Sequence, residues 1–273
     1  MSHKRADQNV VTSLNVSIKT TSSVSLTWNE PQGSRSFFTV NWTNGIVNNS
    51  FDTSNTSYTV TGLTAGVNYT FTVTAVAADY QTTGASTQIS AFTYPNVVTG
   101  LNVSIKTTSS VSLTWNEPQG SRSFFTVNWI NGTGNNSFNT SNTSYTVTGL
   151  TAGVRYTFTV TAVAADNQTT GASTQISAFT YPNVVSLSVS GKTTSSVSLT
   201  WNEPQGSRSF FIVNWTNGSV NNSIKTSNMS YNVTGLTAGV SYTFTVTAVA
   251  ADNQTRRATT QTSAFTSKSC TVV

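Results

Sequence analysis

The 273-residue chain writes one sequence three times. Residues 11–97 open with "VTSLNVSIKTTSSVSLTWNEPQGSRSFFTVNW", and the copy that restarts at Val98 differs at only 7 of 87 positions, among them Ser13/Gly100, Asp52/Asn139, Asn68/Arg155 and Tyr80/Asn167. A third, looser copy starts near Val185 and keeps "TTSSVSLTWNEPQGSRSFF" intact from Thr193 to Phe211. Solenoid units run to roughly 20–50 residues and cannot bury their own apolar face. A longer unit can bury roughly 60–65% of its chain surface, enough for one core without a disulfide or a metal. The repeat therefore predicts three small domains over 11–96, 97–183 and 184–267, with a disordered tail at 1–10 and a short tail at 268–273.

Alternation of apolar and hydroxyl residues sets the fold class. Leu14, Val16 and Ile18 alternate with polar neighbours, as do Val24, Leu26 and Trp28; Phe38, Val40 and Trp42; and Tyr69, Phe71, Val73 and Ala75. A period of two with Thr and Val enrichment predicts half-buried antiparallel strands, and nothing shows helical spacing. Asn44-Gly45, Asn131-Gly132 and Asn217-Gly218 are dipeptides that favour two-residue hairpin turns with positive φ at both positions. Pro31, Pro118 and Pro204 end the same strand, while Pro95 and Pro182 mark the junctions, because proline cannot continue a ladder. About three residues separate the units, which predicts a semi-rigid, elongated array reaching roughly 100 Å.

Composition excludes several function classes. Only 8% of residues are charged, yet the fixed strand-like spacing of aromatic residues argues against disorder. The net charge of +5 gathers in the third repeat and the tails, where Lys192, Arg208, Lys225, Arg256 and Arg257 face only Glu203 and Asp252. The basic residues form no long run, so no nucleic-acid footprint is expected. A single cysteine, Cys270, leaves the cores to packing alone. The start has no apolar run typical of a signal peptide, and no stretch of about 20 apolar residues is present. One histidine, His3, and scattered carboxylates offer no nucleophile–base pair, metal cluster or phosphate loop, so catalytic, metal and cofactor sites are all expected to be none.

The markers that recur are Trp28, Trp115 and Trp201 on the second strand; the aromatic-x-aliphatic-x-aromatic third strands that end in Trp42, Trp129 and Trp215; and the corners Leu63/Gly66/Tyr69, Leu150/Gly153/Tyr156 and Leu236/Gly239/Tyr242. On these residues the chain resembles the fibronectin type III family across about 11–266. The resemblance implies an all-β chain of three tandem seven-stranded, immunoglobulin-like sandwiches, with a tyrosine hydroxyl bonded back to the loop before it. The phrases "TGLTAGVNYTFTVTAVAAD" and "FTYPNVVTGLNVS" are similar to the ectodomain repeats of receptor-type protein tyrosine phosphatases. That similarity implies a glycosylated ectodomain whose parent carries a membrane span and a phosphatase domain elsewhere, since this chain has no His-Cys-x5-Arg loop.

Seventeen Asn-x-Ser/Thr sequons fit that placement: Asn15, Asn41, Asn48, Asn55, Asn68, Asn102, Asn131, Asn135, Asn139, Asn142, Asn167, Asn214, Asn217, Asn221, Asn228, Asn232 and Asn253. A chain rich in Asn, Ser and Thr also generates sequons by chance. Arg35, Arg122 and Arg208 precede the third strand, either as loop contacts for a partner or as copies made by duplication. Arg256-Arg257 replaces the Thr-Gly of the other copies, as a contact for an anionic glycan or acidic protein or as a solvated pair. The end, Cys270-Thr271-Val272-Val273, nominally fits a prenylation box and a PDZ-domain ligand, both of which need a cytosolic tail; truncation is the competing account. The function expected is an extracellular adhesion or ligand-recognition segment that meets a protein or glycan at the cell surface or matrix. The alternative is a passive spacer array.

Overall fold

A computed structural model describes residues 10–132, 134–256 and 259–269. The first repeat contributes β1 (Thr12–Lys19), β2 (Ser23–Asn29), β3 (Phe37–Thr43), β4 (Asn48–Thr53), β5 (Ser57–Thr61), β6 (Asn68–Val76) and β7 (Thr87–Phe92). The second contributes β8 (Thr99–Lys106), β9 (Val111–Asn116), β10 (Phe124–Ile130), β11 (Asn135–Thr140), β12 (Ser144–Val147), β13 (Arg155–Val163) and β14 (Thr174–Phe179). The third contributes β15 (Leu187–Lys192), β16 (Ser196–Trp201), β17 (Phe210–Thr216), β18 (Asn221–Thr226), β19 (Ser230–Thr234), β20 (Ser241–Val249) and β21 (Thr260–Phe265).

Each repeat folds into two antiparallel sheets, ordered β1-β2-β5 and β4-β3-β6-β7 in the first and equivalently in the others. The alternation explains the layering, because successive side chains on a strand point to opposite faces. Val24, Leu26 and Trp28 on β2 meet Phe38 and Val40 on β3 and Tyr69, Phe71, Val73 and Ala75 on β6 in one buried cluster. The equivalent residues form the second and third cores. Phe38 and Phe71 are wholly buried, each worth roughly 1.5–3 kcal/mol relative to exposure. Trp28 lies edge-on to Phe38, with ring centres 5.3 Å apart.

Two local expectations fail for physical reasons. Ile18 does not continue the inward series of Leu14 and Val16: a bulge between Val16 and Ile18 sets Ile18 opposite Ser25, and its side chain is 62% exposed. The same bulge exposes Ile105, and the third repeat has Gly191 at this place. The Asn-Gly hairpins are four residues long, with Thr43 paired to Asn48. Gly45 alone takes positive φ, at 88°, while the Asn44 side-chain oxygen accepts the N–H groups of Ile46 and Val47 at 3.0 and 2.9 Å. The asparagine thus caps a longer turn through its side chain instead of adopting the left-handed backbone of a two-residue one.

Candidate interaction surfaces

The corner between β5 and β6 positions everything at the downstream end of a repeat. Tyr69 is buried at the start of β6, and its hydroxyl accepts the N–H of Thr64 at 3.0 Å. Tyr156 and Tyr242 take the N–H of Thr151 and Thr237 in the same way. A residue missed in the sequence completes the corner: Thr93, wholly buried, donates to the Thr64 carbonyl at 2.7 Å and accepts from the Val67 N–H at 3.1 Å. Thr180 and Thr266 repeat it. Only their place in the recurring "Ala-Phe-Thr" could have hinted at this role.

The three recurring arginines are engaged within their own repeats. Arg35 makes a two-pronged pair with Glu30 at 2.7 and 2.9 Å, donates to the Ser54 carbonyl at 2.8 Å, and stacks on Phe38. Arg122 repeats all of these contacts, and Arg208 repeats the pair with Glu203 and the stacking on Phe211. These guanidinium groups therefore clamp the loop before the third strand. The Arg35 hydrogen bond, with the charge of Arg35 adding to it, holds the Glu30 carboxyl below its ordinary range against the opposing effect of burial, and Arg122 does the same to Glu117.

Consecutive repeats touch through a joint whose geometry is the same at both places. The Ser121 N–H donates to the Ala65 carbonyl at 2.8 Å, and the Asn96 side-chain amide donates to the Gln119 carbonyl at 2.9 Å. At the next joint Ser207 donates to Ala152 at 2.8 Å and Asn183 to Gln205 at 2.8 Å. Gly66 has φ +70°, and a Cβ there would overlap the Ser121 carbonyl oxygen, so both backbone shape and close approach require glycine. Beside each joint lies an open cleft. The first, of about 500 Å³, is lined by Lys19, Asn68, Ile89, Asp166 and Thr169. The second, of about 420 Å³, is lined by Lys106, Arg155, Ile176, Asp252 and Thr255.

The Asp of that cleft closes its own loop. Burial pushes the Asp166 carboxyl up, but the Thr169 hydroxyl, the Thr169 and Gln168 N–H groups and the charge of Lys19 together hold it below its ordinary value. Asp252 follows the same pattern with Thr255, Gln254 and Lys106. Asp79 is held low by the Thr82 hydroxyl and the Thr82 and Gln81 N–H groups, without a lysine from another repeat.

Sixteen of the seventeen sequon asparagines are exposed; Asn214 alone is half-buried, its amide donating to Thr245 at 3.3 Å. The acceptors lie on outward strand positions, as at Asn15 on β1 and Asn41 on β3, or in turns, as at Asn55 and Asn142. Arg256 is exposed and bridges Val249. Arg257, His3 and Cys270-Thr271-Val272-Val273 lie outside the described residues. Among the described residues no group of three or more His, Cys, Asp or Glu could hold a metal, and no helix is long and apolar enough to cross a membrane.

Two facing sheets of three and four strands, a tryptophan buried on the second strand and a tyrosine corner define an immunoglobulin-like sandwich module. The chain belongs to the fibronectin type III family: the Fibronectin type III domain matches it at 9–92, 96–179 and 182–264. Such domains are non-catalytic modules. The chain is 39% identical over 242 residues to receptor-type tyrosine-protein phosphatase eta of Gallus gallus and 33% identical over 245 residues to receptor-type tyrosine-protein phosphatase H of Homo sapiens. Each match covers 85% of this chain but only 17% and 22% of those relatives, so the chain spans about a fifth of their length. It is also 32% identical over 167 residues to chitinase A1 of Niallia circulans, covering 58% of this chain and 24% of that protein. A two-domain fibronectin type III segment of chicken tenascin superposes with a TM-score of 0.50 at 21% identity, covering 62% of this chain and 99% of the segment.

Proposed function

We propose that the chain is a glycosylated extracellular segment of a cell-surface receptor that recognises a protein or glycan ligand at the cell surface or matrix. Its parent would be a receptor-type tyrosine phosphatase whose enzymatic part lies outside this chain, and the segment itself works without catalysis or cofactor. The observation that carries this reading is the similarity to two receptor-type phosphatases across 85% of the chain. The exposure of sixteen sequon asparagines supports it, since glycans need outward positions. The third repeat is where specificity is sought first, because it carries Lys225 and Arg256 where the first two repeats are uncharged or acidic.

A screen of the secreted array against cell-surface and matrix proteins tests the reading. A saturable partner at physiological salt, weakened by Arg256→Ser, is the expected result. A second reading, a passive spacer, draws on the two hydrogen-bonded joints, which hold neighbouring repeats in register whatever they bind. It predicts no saturable partner in the same screen.

A further inference from the structure

Five of the seven positions at which the first two repeats differ create or remove a sequon: 43, 46, 52, 68 and 80 of the first repeat. Against that turnover, two acceptor positions stand in all three repeats. One is Asn48, Asn135 and Asn221, at the start of each repeat's fourth strand; the other is Asn55, Asn142 and Asn228, in the turn that follows it. The third repeat keeps the turn acceptor although Met229 replaces the threonine inside its triplet.

That turn joins two strands whose rings lie open on the side of the sandwich. β4 is the edge of one sheet and β5 the edge of the other. Phe51 pairs opposite Val40 and so shares the inward face, yet at the edge of its sheet it stays 48% exposed. Tyr58 comes in from β5, opposite Leu26. The two rings stack with centres 4.6 Å apart and planes 13° apart, and Trp42 stands 6.3 Å from Tyr58. Phe138 and Tyr145 repeat the stack at 4.5 Å, with Phe138 47% exposed. A contiguous aromatic pair open to water marks a contact surface, whereas apolar residues exposed singly do not.

Asn55 is exposed and sits in the connection between the two rings, four residues after Phe51 and three before Tyr58. Its N–H donates to the Thr53 hydroxyl at 3.1 Å, which fixes the turn. Two residues of extended strand, about 7 Å, separate Phe51 from the end of β4. Resting on the reading of the chain as glycosylated, we propose that these ring pairs are platforms for the chain's own sugar. The first N-acetylglucosamine on Asn55, and on Asn142 in the second repeat, lays its apolar C–H face on the ring of Phe51 or Phe138. Attachment joins the Asn amide nitrogen, which gives up one proton, to the anomeric carbon of a lipid-diphosphate-linked oligosaccharide, whose diphosphate leaves with the bonding electrons. In the third repeat Ile224 replaces the phenylalanine and packs on the core, so Asn228 has no such platform. The sugar thereby closes the apolar edge of the first two repeats to strand pairing and to partners.

The test is hydroxyl-radical footprinting of the full chain secreted from animal cells that make only high-mannose glycans. Peptide mass spectrometry of one digest reads both the oxidation of Phe51 and Phe138 and the occupancy of Asn55 and Asn142. Three samples are compared: the untreated chain, the chain trimmed by endoglycosidase to one sugar per site, and Ser57→Ala/Ser144→Ala, which abolishes both acceptors without touching asparagine or ring. Asn55→Gln/Asn142→Gln reaches the same end by a second route, and the wholly buried Phe71 and Phe158 stay unoxidised wherever the fold is kept. A sugar on the ring covers most of what remains exposed, so oxidation of Phe51 and Phe138 should rise about threefold in the variants and stay low after trimming. Equal oxidation in wild type and variants would overturn the proposal, as would protection that vanishes on trimming, because outer branches would then be the shield; both results leave the glycosylated reading standing. Asn55 and Asn142 without sugar would overturn the proposal together with that reading at these sites.

Discussion

The Arg35 guanidinium lies 4.1 Å from the ring centre of Phe38 while two of its nitrogens, Nε and Nη2, grip Glu30, so one side chain ties the loop before β3 to the core beneath it. Arg35 is 14% exposed and Glu30 54% exposed, which makes the arginine's packing worth more than the ion pair. Glu30→Gln should therefore cost less than about 1 kcal/mol. Arg35→Ala should cost roughly 2 kcal/mol, because it also removes the stacking and the bond to Ser54. Urea unfolding of the first repeat, followed through Trp28 fluorescence, measures both; equal losses would show that the ion pair carries the clamp.

The tyrosine corner should behave as a network. Tyr69→Phe removes the acceptor for Thr64 N–H and should cost about 1–2 kcal/mol, as should Thr93→Val, which keeps shape but strands the Val67 N–H. Both side chains hold the same residue, Thr64, so the double variant should lose less than the sum. Amide exchange at Thr64 and Val67 reports the local opening directly, and strict additivity would contradict a shared network.

The acidic loops give a pH dependence with a definite sign. Asp79 and Asp166 both titrate below the ordinary carboxylate value in the folded chain, so the stability they contribute is present above the unfolded value of about 3.9 and is lost as pH falls through the folded one. Of these two, Asp166 draws on a lysine from the neighbouring repeat and Asp79 does not. In Lys19→Met the Asp166 midpoint should therefore rise while that of Asp79 stays fixed. Carbon-13 carboxyl shifts followed against pH in the intact chain resolve the two, and a common response would detach the loop from the joint.

Much of the fold was legible because period-two alternation fixes which face of each strand is buried, and three copies of Trp28, Leu63 and Tyr69 fix the register of the pattern. What was not legible depended on contacts between distant positions. The bulge that turns Ile18 outward lies in the pairing with Ser25, not in the alternation itself. The Asn44 turn is longer because its side chain bonds backbone groups two and three residues on. The Arg35 clamp needs Glu30 and Ser54 brought together by folding. The role of Gly66 needs a neighbour: alone it marks a turn, and only beside Ser121 does it become half of a joint.

Among the acceptor asparagines, Asn214 should stand apart. Its amide is engaged with Thr245 and it is half-buried, whereas the equivalent Asn41 is exposed. Site-resolved glycopeptide analysis should find Asn41 occupied to a greater extent than Asn214; the reverse order would mean that acceptor exposure in the folded chain does not govern occupancy.

The most direct measurement for the account as a whole is the intact mass of the chain secreted from animal cells, before and after N-glycosidase treatment. An extracellular, sugar-covered recognition segment predicts a large heterogeneous mass that collapses to the polypeptide value, with several exposed sequon asparagines converted to aspartate. A secreted chain whose mass does not change on treatment would contradict it.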